Sequence, residues 1–432
     1  YQRSQGRLFV AAFMRRQVGF KDGPGYVYVL DRAGDSLSLA GSFDLQGIVP
    51  ANGGPAIDLG SVCRRDNSDG DPDNSCLPLG GVAADYTLAA AAGLPSIDLD
   101  AYAKVGKMSY GDIDVTEDGN TLWLTNLYQN ALIRVDIRGS NFTSGVKQYP
   151  LSALSGLPSC GDFNNNGSAT PTGDLHPFAL KFYNGKGYLG VTCDAFNSRD
   201  TGDLRAFVLS FDPNNPSAGF TQVLTVPLNY LLHNTTLNKP HWLPWSSTWA
   251  QSVNNPDGLN GGQAPEPVLS DIEFTEDGSI IVGLMDRHAL QQFGDNHPAT
   301  SQATTLVSVY DLGDILKFCN VAGSYVMEGT AASCPVLPMG TSSGGALASE
   351  GISGNGEYFM EVRADLYHEA FMGALALLPG STDVVGTFVD PGTDNSGYYS
   401  GGIAWWRTKS PGANTRTYRV YPPLGTGQPT TG

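Results

Sequence analysis

The octapeptide Asp112-Ile-Asp-Val-Thr-Glu-Asp-Gly119 returns later in the chain as Asp271-Ile-Glu-Phe-Thr-Glu-Asp-Gly278. Each copy alternates polar and apolar residues, reaches Asp-Gly, and continues into a second apolar run: Thr121-Leu-Trp-Leu-Thr125 and Ser279-Ile-Ile-Val-Gly283. Period-two alternation around Asp-Gly predicts a β-hairpin, because glycine supplies the positive φ of a tight turn. Weaker copies follow the same rhythm. Residues 178–182 turn at Asn184-Gly185 into 187–191, and residues 373–378 turn at Pro379-Gly380 into 383–388. Near the start, 7–12 precede 25–30. Further strand pairs follow the hairpins at 131–136 with 146–149, 206–211 with 222–226, and 402–407 with 417–421.

Four antiparallel strands per repeated unit predict an all-β chain: a β-propeller of five to seven four-stranded blades with long inserted loops. Five units are visible. Their spacing exceeds the roughly 40–50 residues of compact blades, so insertions are expected at 48–108, 152–176, 228–268, 286–304 and 328–370. A β-sandwich is the alternative fold, but it gives no reason for the hairpin to recur. The propeller is expected to cover 1–423, with 424–432 a Gly/Pro/Thr linker to a further domain. The two full octapeptides should be equivalent hairpins in different blades, with Ile113, Val115, Ile272 and Phe274 buried.

Charge and cysteine content narrow the setting. The formal net charge is -17; such a surface repels phosphate backbones and favours cations, so nucleic acid is not an expected partner. No apolar run is long enough to span a bilayer, and membrane insertion by this region is not expected. The chain opens at Tyr1 without Met or a signal peptide and reads as a processed mature region. Six cysteines permit about 15 pairings. Their order suggests three local bridges, Cys63–Cys76, Cys160–Cys193 and Cys319–Cys334; six buried thiols are the alternative. Bridges would place the chain in an oxidising compartment, secreted or at the cell surface.

Several residue groups could carry chemistry. Asp162-Phe-Asn164-Asn-Asn166-Gly167 matches the opening of a calcium loop, with the Ser168 carbonyl and Asp174 as further ligands; an Asx-rich turn binding nothing is the alternative. Asp66, Asp69, Asp71 and Asp73 form a weaker candidate between Cys63 and Cys76, or else a solvated acidic loop. Calcium is the cofactor expected, in a structural role. Trp242, Trp245 and Trp249 crowd one insertion with His241; they either stack on sugars or partners, or pack the insertion, and packing is favoured. Gly340-Thr-Ser342-Ser-Gly344 has the G-x-S-x-G form, with Asp365 and His368 following, but Pro338 interrupts the strand that a nucleophile elbow needs. The six histidines show no zinc spacing, and the sequons at Asn141, Asn166 and Asn234 are at chance frequency for this composition.

The chain resembles the N-terminal propeller region of large bacterial surface proteins that carry SdrD-B-like repeats. The likeness rests on Gly111–Tyr128, His176–Phe182, Leu269–Phe274, Gly283-Leu-Met-Asp-Arg287, His368-Glu369 with Gly373–Gly380, and Tyr399–Ile403. His176-Pro-Phe departs from the Arg-Pro-Trp form of that family. The resemblance implies export, surface display, calcium-dependent structure and a role in attachment or matrix building, with no catalytic residues. The expected function is a non-enzymatic extracellular binding or assembly module for adhesion, matrix or filament building. Its expected partners are other extracellular proteins, surface glycans or further copies of itself. The alternative is a calcium-dependent propeller hydrolase of esters, lactones or phosphoesters, which should gather acidic ligands at the central channel.

Overall fold

The computed structural model describes residues 1–16, 18–62, 98–232, 241–254, 264–292, 296–299, 306–307, 309, 311–337, 352–353, 356–361, 371–389 and 401–421. Five antiparallel sheets, each of strands successive in sequence save that blade 5 passes over β20, are arranged as a five-blade propeller. Blade 1 is β1 (Arg7–Ala11), β2 (Tyr26–Ala33) and β3 (Ser36–Asp44). Blade 2 is β4 (Tyr110–Val115), β5 (Thr121–Asn126), β6 (Ala131–Asp136) and β7 (Lys147–Pro150). Blade 3 is β8 (Leu175–Tyr183), β9 (Lys186–Cys193), β10 (Arg205–Phe211) and β11 (Thr221–Pro227). Blade 4 is β12 (Pro267–Phe274), β13 (Ile280–Asp286), β14 (Asp314–Val321) and β15 (Ser324–Met327). A two-residue strand, β16 (Phe359–Met360), precedes blade 5, which is β17 (Phe371–Leu377), β18 (Asp383–Val389), β19 (Gly401–Arg407) and β21 (Arg416–Tyr421); β20 (Gly412–Ala413) pairs in parallel with β16.

The two octapeptides form equivalent hairpins, β4–β5 and β12–β13. Gly119 and Gly278 sit at φ 71° and 76° in their turns. Thr116 and Thr275 hydroxyls each donate to the turn aspartate, Asp118 and Asp277. The expected burial holds in blade 4, where Ile272 and Phe274 are covered. It is only partial in blade 2, where Ile113 and Val115 are half-buried. Their neighbour explains the difference. Among the described residues blade 1 has three strands rather than the expected four, and Tyr1, Arg3 and Ser4 line the channel mouth beside blade 2. Phe13, just past β1, bridges Ser109, just before β4, so β1 runs opposite to the innermost strands β4, β8, β12 and β17.

Meander topology sorts the connections onto two faces. Tight turns such as Asn184-Gly185 lie on a hairpin face. The long connections 45–109, 151–174, 228–266 and 328–370 all return to the innermost strands on the opposite, loop face. Three short helices lie in loop-face connections: α1 (Leu99–Lys104), α2 (Trp249–Val253) and α3 (Arg287–Gln292). Apolar layers fill the spaces between blades, for example Val27 and Phe43 with Leu122 and Ile133, or Ile281 and Ile315 with Val384 and Trp406. Each such buried aliphatic side chain contributes about 1.5–3 kcal/mol. Two expected disulfides are present, Cys160–Cys193 and Cys319–Cys334. Cys63, Cys76 and residues 424–432 lie outside the described residues.

Candidate functional site

The acidic positions of the repeat meet at the propeller axis. β-Bulges interrupt the pairing of β4, β8, β12 and β17 at one level, between Tyr110 and Ile113, Pro177 and Leu180, Leu269 and Asp271, and Phe371 and Leu375. A bulge re-aims the side chains that follow it. Within and after the bulge of β4, Asp112 accepts from the N–H of Leu180 (2.8 Å) and Asp114 from that of Phe182 (2.8 Å), both in blade 3. Asp271 likewise accepts from Leu375 N–H (2.7 Å) in blade 5. The second oxygens of Asp112, Asp114 and Asp271 take the N–H of the next residue. Glu273 pairs with Lys181 at 2.7 Å. The repeat therefore supplies carboxylates that fasten one blade to the next.

These groups are electrostatically strained. Burial pushes the Asp112 carboxyl up to about 8 against the pull of its two N–H donors, and Asp114 adds to the rise. Asp271 lies well above the ordinary range, again through burial and then through Asp112. Asp112 and Asp271 are half-buried, and the surrounding protein withdraws most of their hydration. Burial works against the Lys181 ammonium, yet Glu273, Asp114 and Asp271 outweigh it and hold its pKa above the usual value. A pocket of about 890 Å³ opens beyond them on the hairpin face, lined by Arg3, Asp114, Glu117, Lys181, Glu273 and Leu377 among others.

At the loop-face end, the described parts of the insertions pack around Arg287. Arg287, fully buried, donates to the carbonyls of Val105 (2.7 Å), Ser246 (3.0 Å) and Ala103 (3.2 Å) and pairs with Glu266. It lies 4.7 Å from the Trp245 ring centre, and Trp245 stacks on His176 at 4.3 Å. Trp242 and Trp245 are without exposure, so they pack the insertion and are not available to stack on a ligand. Trp249 is half-buried against His288. His176 Nε2 lies 2.8 Å from Asp194 Oδ2, with Lys107 Nζ 4.0 Å from the same oxygen. Burial lowers the His176 pKa and leaves the ring neutral, so Nε2–H donates. Asp194 is held below the carboxylate range: burial opposes ionisation, and His176, the Phe196 N–H and Lys107 overcome it.

The loop expected to hold calcium is folded by Asx hydrogen bonds. Asp162 accepts from the N–H groups of Asn166 (3.1 Å) and Gly167 (2.8 Å), and Asn166 Oδ1 accepts from Ser168 N–H (3.0 Å). The amides of Asn164 and Asn166 both turn to Asp200, a carboxylate that the sequence reading missed. Asp174 has gone elsewhere: one of its oxygens lies within 4.8 Å of ligand atoms of both His176 and Asp194. Asp66, Asp69, Asp71, Asp73, Ser342, Asp365 and His368 lie outside the described residues. Asp194, Arg287 and Lys107 also escaped the sequence reading. The signals were slight: Asp194 follows Cys193, and Arg287 closes the Gly283–Arg287 motif.

No protein-family model matches the chain. Colossin-B of Dictyostelium discoideum is 24% identical over 304 residues, covering 66% of this chain and 7% of that protein. Colossin-A of the same organism is 30% identical over 158 residues, covering 35% of this chain and 1% of that protein. The chain thus spans a small fraction of the curated relatives it matches. Among solved structures, a protein from Lactobacillus plantarum superposes with TM-score 0.36 at 12% identity, over 97% of this chain and 70% of that one. A proposed 6-phosphogluconolactonase from Bacteroides fragilis does so with TM-score 0.36 at 10% identity, over 97% and 83%. Likeness this distant says nothing of activity.

Proposed function

We propose that this chain is a non-catalytic extracellular binding or assembly module within a larger surface protein. The observation behind the proposal is the engagement of the axial carboxylates. Acidic residues do converge at the channel, as a hydrolase would require, but in Asp112, Asp114 and Asp271 one oxygen accepts a backbone N–H of the neighbouring blade and the other the N–H of the next residue in its own strand. Spending them on a metal or a substrate would loosen the ring. Two disulfides suit an oxidising exterior. The matched relatives, of which this stretch is a small part, suit a module in a long chain, as does the resemblance to SdrD-B surface proteins. Partners of this reading are extracellular proteins, surface glycans or further copies, met by the loop-face insertions and blade rims.

The purified chain, supplied with calcium or zinc, should show no turnover of aryl esters, lactones or phosphoesters above a denatured control. Glycan-array binding and sedimentation should reveal a glycan ligand or self-association. The rival reading, a hydrolase, would draw on the His176–Asp194 pair. Turnover that disappears in Asp271→Asn or His176→Gln would overturn the module reading.

We also propose structural calcium at the 162–168 loop, held by Asp162, Asn164, Asn166 and the Ser168 carbonyl, with Asp200 in the place expected for Asp174. Turning the two amides would aim their oxygens, rather than nitrogens, at an ion beside Asp200. Calcium at tenfold to hundredfold excess over Kd should stabilise the fold by about 1–3 kcal/mol. Asp162→Ala and Asp200→Ala should each remove most of the chelator-sensitive part of Tm. An unchanged melt in chelator rejects the site, and a stabilisation by added calcium that survives Asp162→Ala reassigns it to Asp66–Asp73.

A further inference from the structure

The surroundings of Asp174 differ in kind from those of the calcium loop. Asp174 lies one residue before β8 and His176 two residues further on, so period-two geometry puts both on one side of the strand. Asp194 follows β9 directly. The pairing of His176 with Thr192, and the Cys160–Cys193 disulfide next door, fix the separation of the two segments. One ligand atom from each of the three residues lies within 4.8 Å of the others. Zinc bonds to imidazole nitrogen and carboxylate oxygen at about 2.0–2.2 Å, so two ligand atoms can stand at most about 4.4 Å apart across the ion. Side-chain rotation must draw Asp174 inward and open the 2.8 Å His176–Asp194 contact to admit the ion.

The supporting shell is already in place. Asp194 Oδ1 is held by the N–H groups of Asp174 (2.8 Å) and Phe196 (3.0 Å), which leaves Oδ2 directed at His176. The imidazole is clamped against Trp245, tilted by 13°. Oriented ligands of this sort are what outer-shell contacts provide in metal sites. Asp174 is exposed while His176 and Asp194 are buried, so the cluster has one open side. A single imidazole with two carboxylates suits a borderline ion better than a hard one.

We propose that Asp174, His176 and Asp194 form a binding site for one divalent transition-metal ion of the zinc class, with its remaining position open to solvent beside Asp174. The ion enters between His176 Nε2 and Asp194 Oδ2, and the ring proton moves to Nδ1. Its effect is to pin the end of the 151–174 connection to blade 3. Lys107 is the competing cation. Its ammonium sits 4.0 Å from Asp194 Oδ2, flanked by the rings of Phe196 (5.2 Å) and Trp245 (5.6 Å). Arg287, beyond Trp245, is matched by Glu266 and adds little net charge. This site stands apart from the calcium loop and from the non-catalytic reading.

The test is a cobalt titration followed by visible absorption, with zinc as the displacing ion. It is done in an Asp162→Ala background, so that the loop cannot contribute. One equivalent of cobalt should give d–d bands that zinc abolishes, and zinc should raise Tm. Asp174→Asn, at an exposed position where the fold is not at risk, should weaken binding severely. His176→Gln should eliminate it, and Lys107→Met should tighten it. Absence of a saturable cobalt signal overturns the proposal, and so does a signal that Asp174→Asn leaves unaltered in a chain whose circular dichroism is native.

Discussion

Thr125 carries a hydroxyl whose partner belongs to the neighbouring blade. Fully buried in β5, it donates to the Phe178 carbonyl of blade 3 at 3.0 Å. Valine has the same shape and no hydroxyl, so Thr125→Val leaves that carbonyl without this donor in a dry interface. Such a loss costs about 1–3 kcal/mol. Thr221→Val, on the exposed edge strand β11, should stay within about 0.5 kcal/mol of wild type. Urea unfolding of the two variants compares them directly, and equal midpoints would show that the inter-blade contact contributes nothing. Contacts of this sort were invisible in the sequence. Asp112 and Asp271 could be recognised as hairpin markers because their turns are local. Their inter-blade partners lie 68 and 104 residues away, a separation that no spacing rule anticipates. The tryptophans were ambiguous for a related reason, since an indole's neighbours decide whether it plugs or displays.

At the level of elements, hairpins closed by Asp-Gly, Asn-Gly and Pro-Gly could be read because the turn and both strands fall within one short window. The three helices could not. Each spans only five or six residues, too few to show a helical period, and tertiary contacts such as those of Arg287 with Ala103 and Val105 hold α1 in place. The parallel β16–β20 pair likewise depends on distant chain. The disulfides bind such connections to the sheets. Cys160–Cys193 encloses a separation of 33 residues and Cys319–Cys334 one of 15. In the chain-entropy view, removing them should cost roughly 3.7 and 3 kcal/mol respectively. Hydrogen exchange on a Cys160→Ser/Cys193→Ser chain should show faster exchange over 155–174 while β9 and β10 stay protected. Uniform protection would mean that the bridge holds nothing that packing does not.

For the whole molecule, the notable property is the number of buried acids carrying raised pKa values. Burial drives Asp112 and Glu328 to about 8, Asp311 to about 7 and Asp314 to about 6. Between their ordinary values near 4 and these folded values, the native state holds protons that the unfolded chain has released. Stability present below that window is therefore lost as pH rises through it. Acids held low, Asp118 and Asp194 among them, act in the opposite sense and matter only below about pH 4. Tm should climb as pH falls from 8 to about 5, helped by relief of a net charge of -17. Asp311→Asn should flatten the climb, and a level profile in wild type would refute it. Finally, each blade is assembled from strands near one another in sequence; among the described residues no sheet borrows a strand from the far end of the chain. Short loops close faster and at less entropic cost than long ones. A chain emerging from the ribosome can therefore complete each blade from a segment it has recently released, without waiting for the far end of the chain.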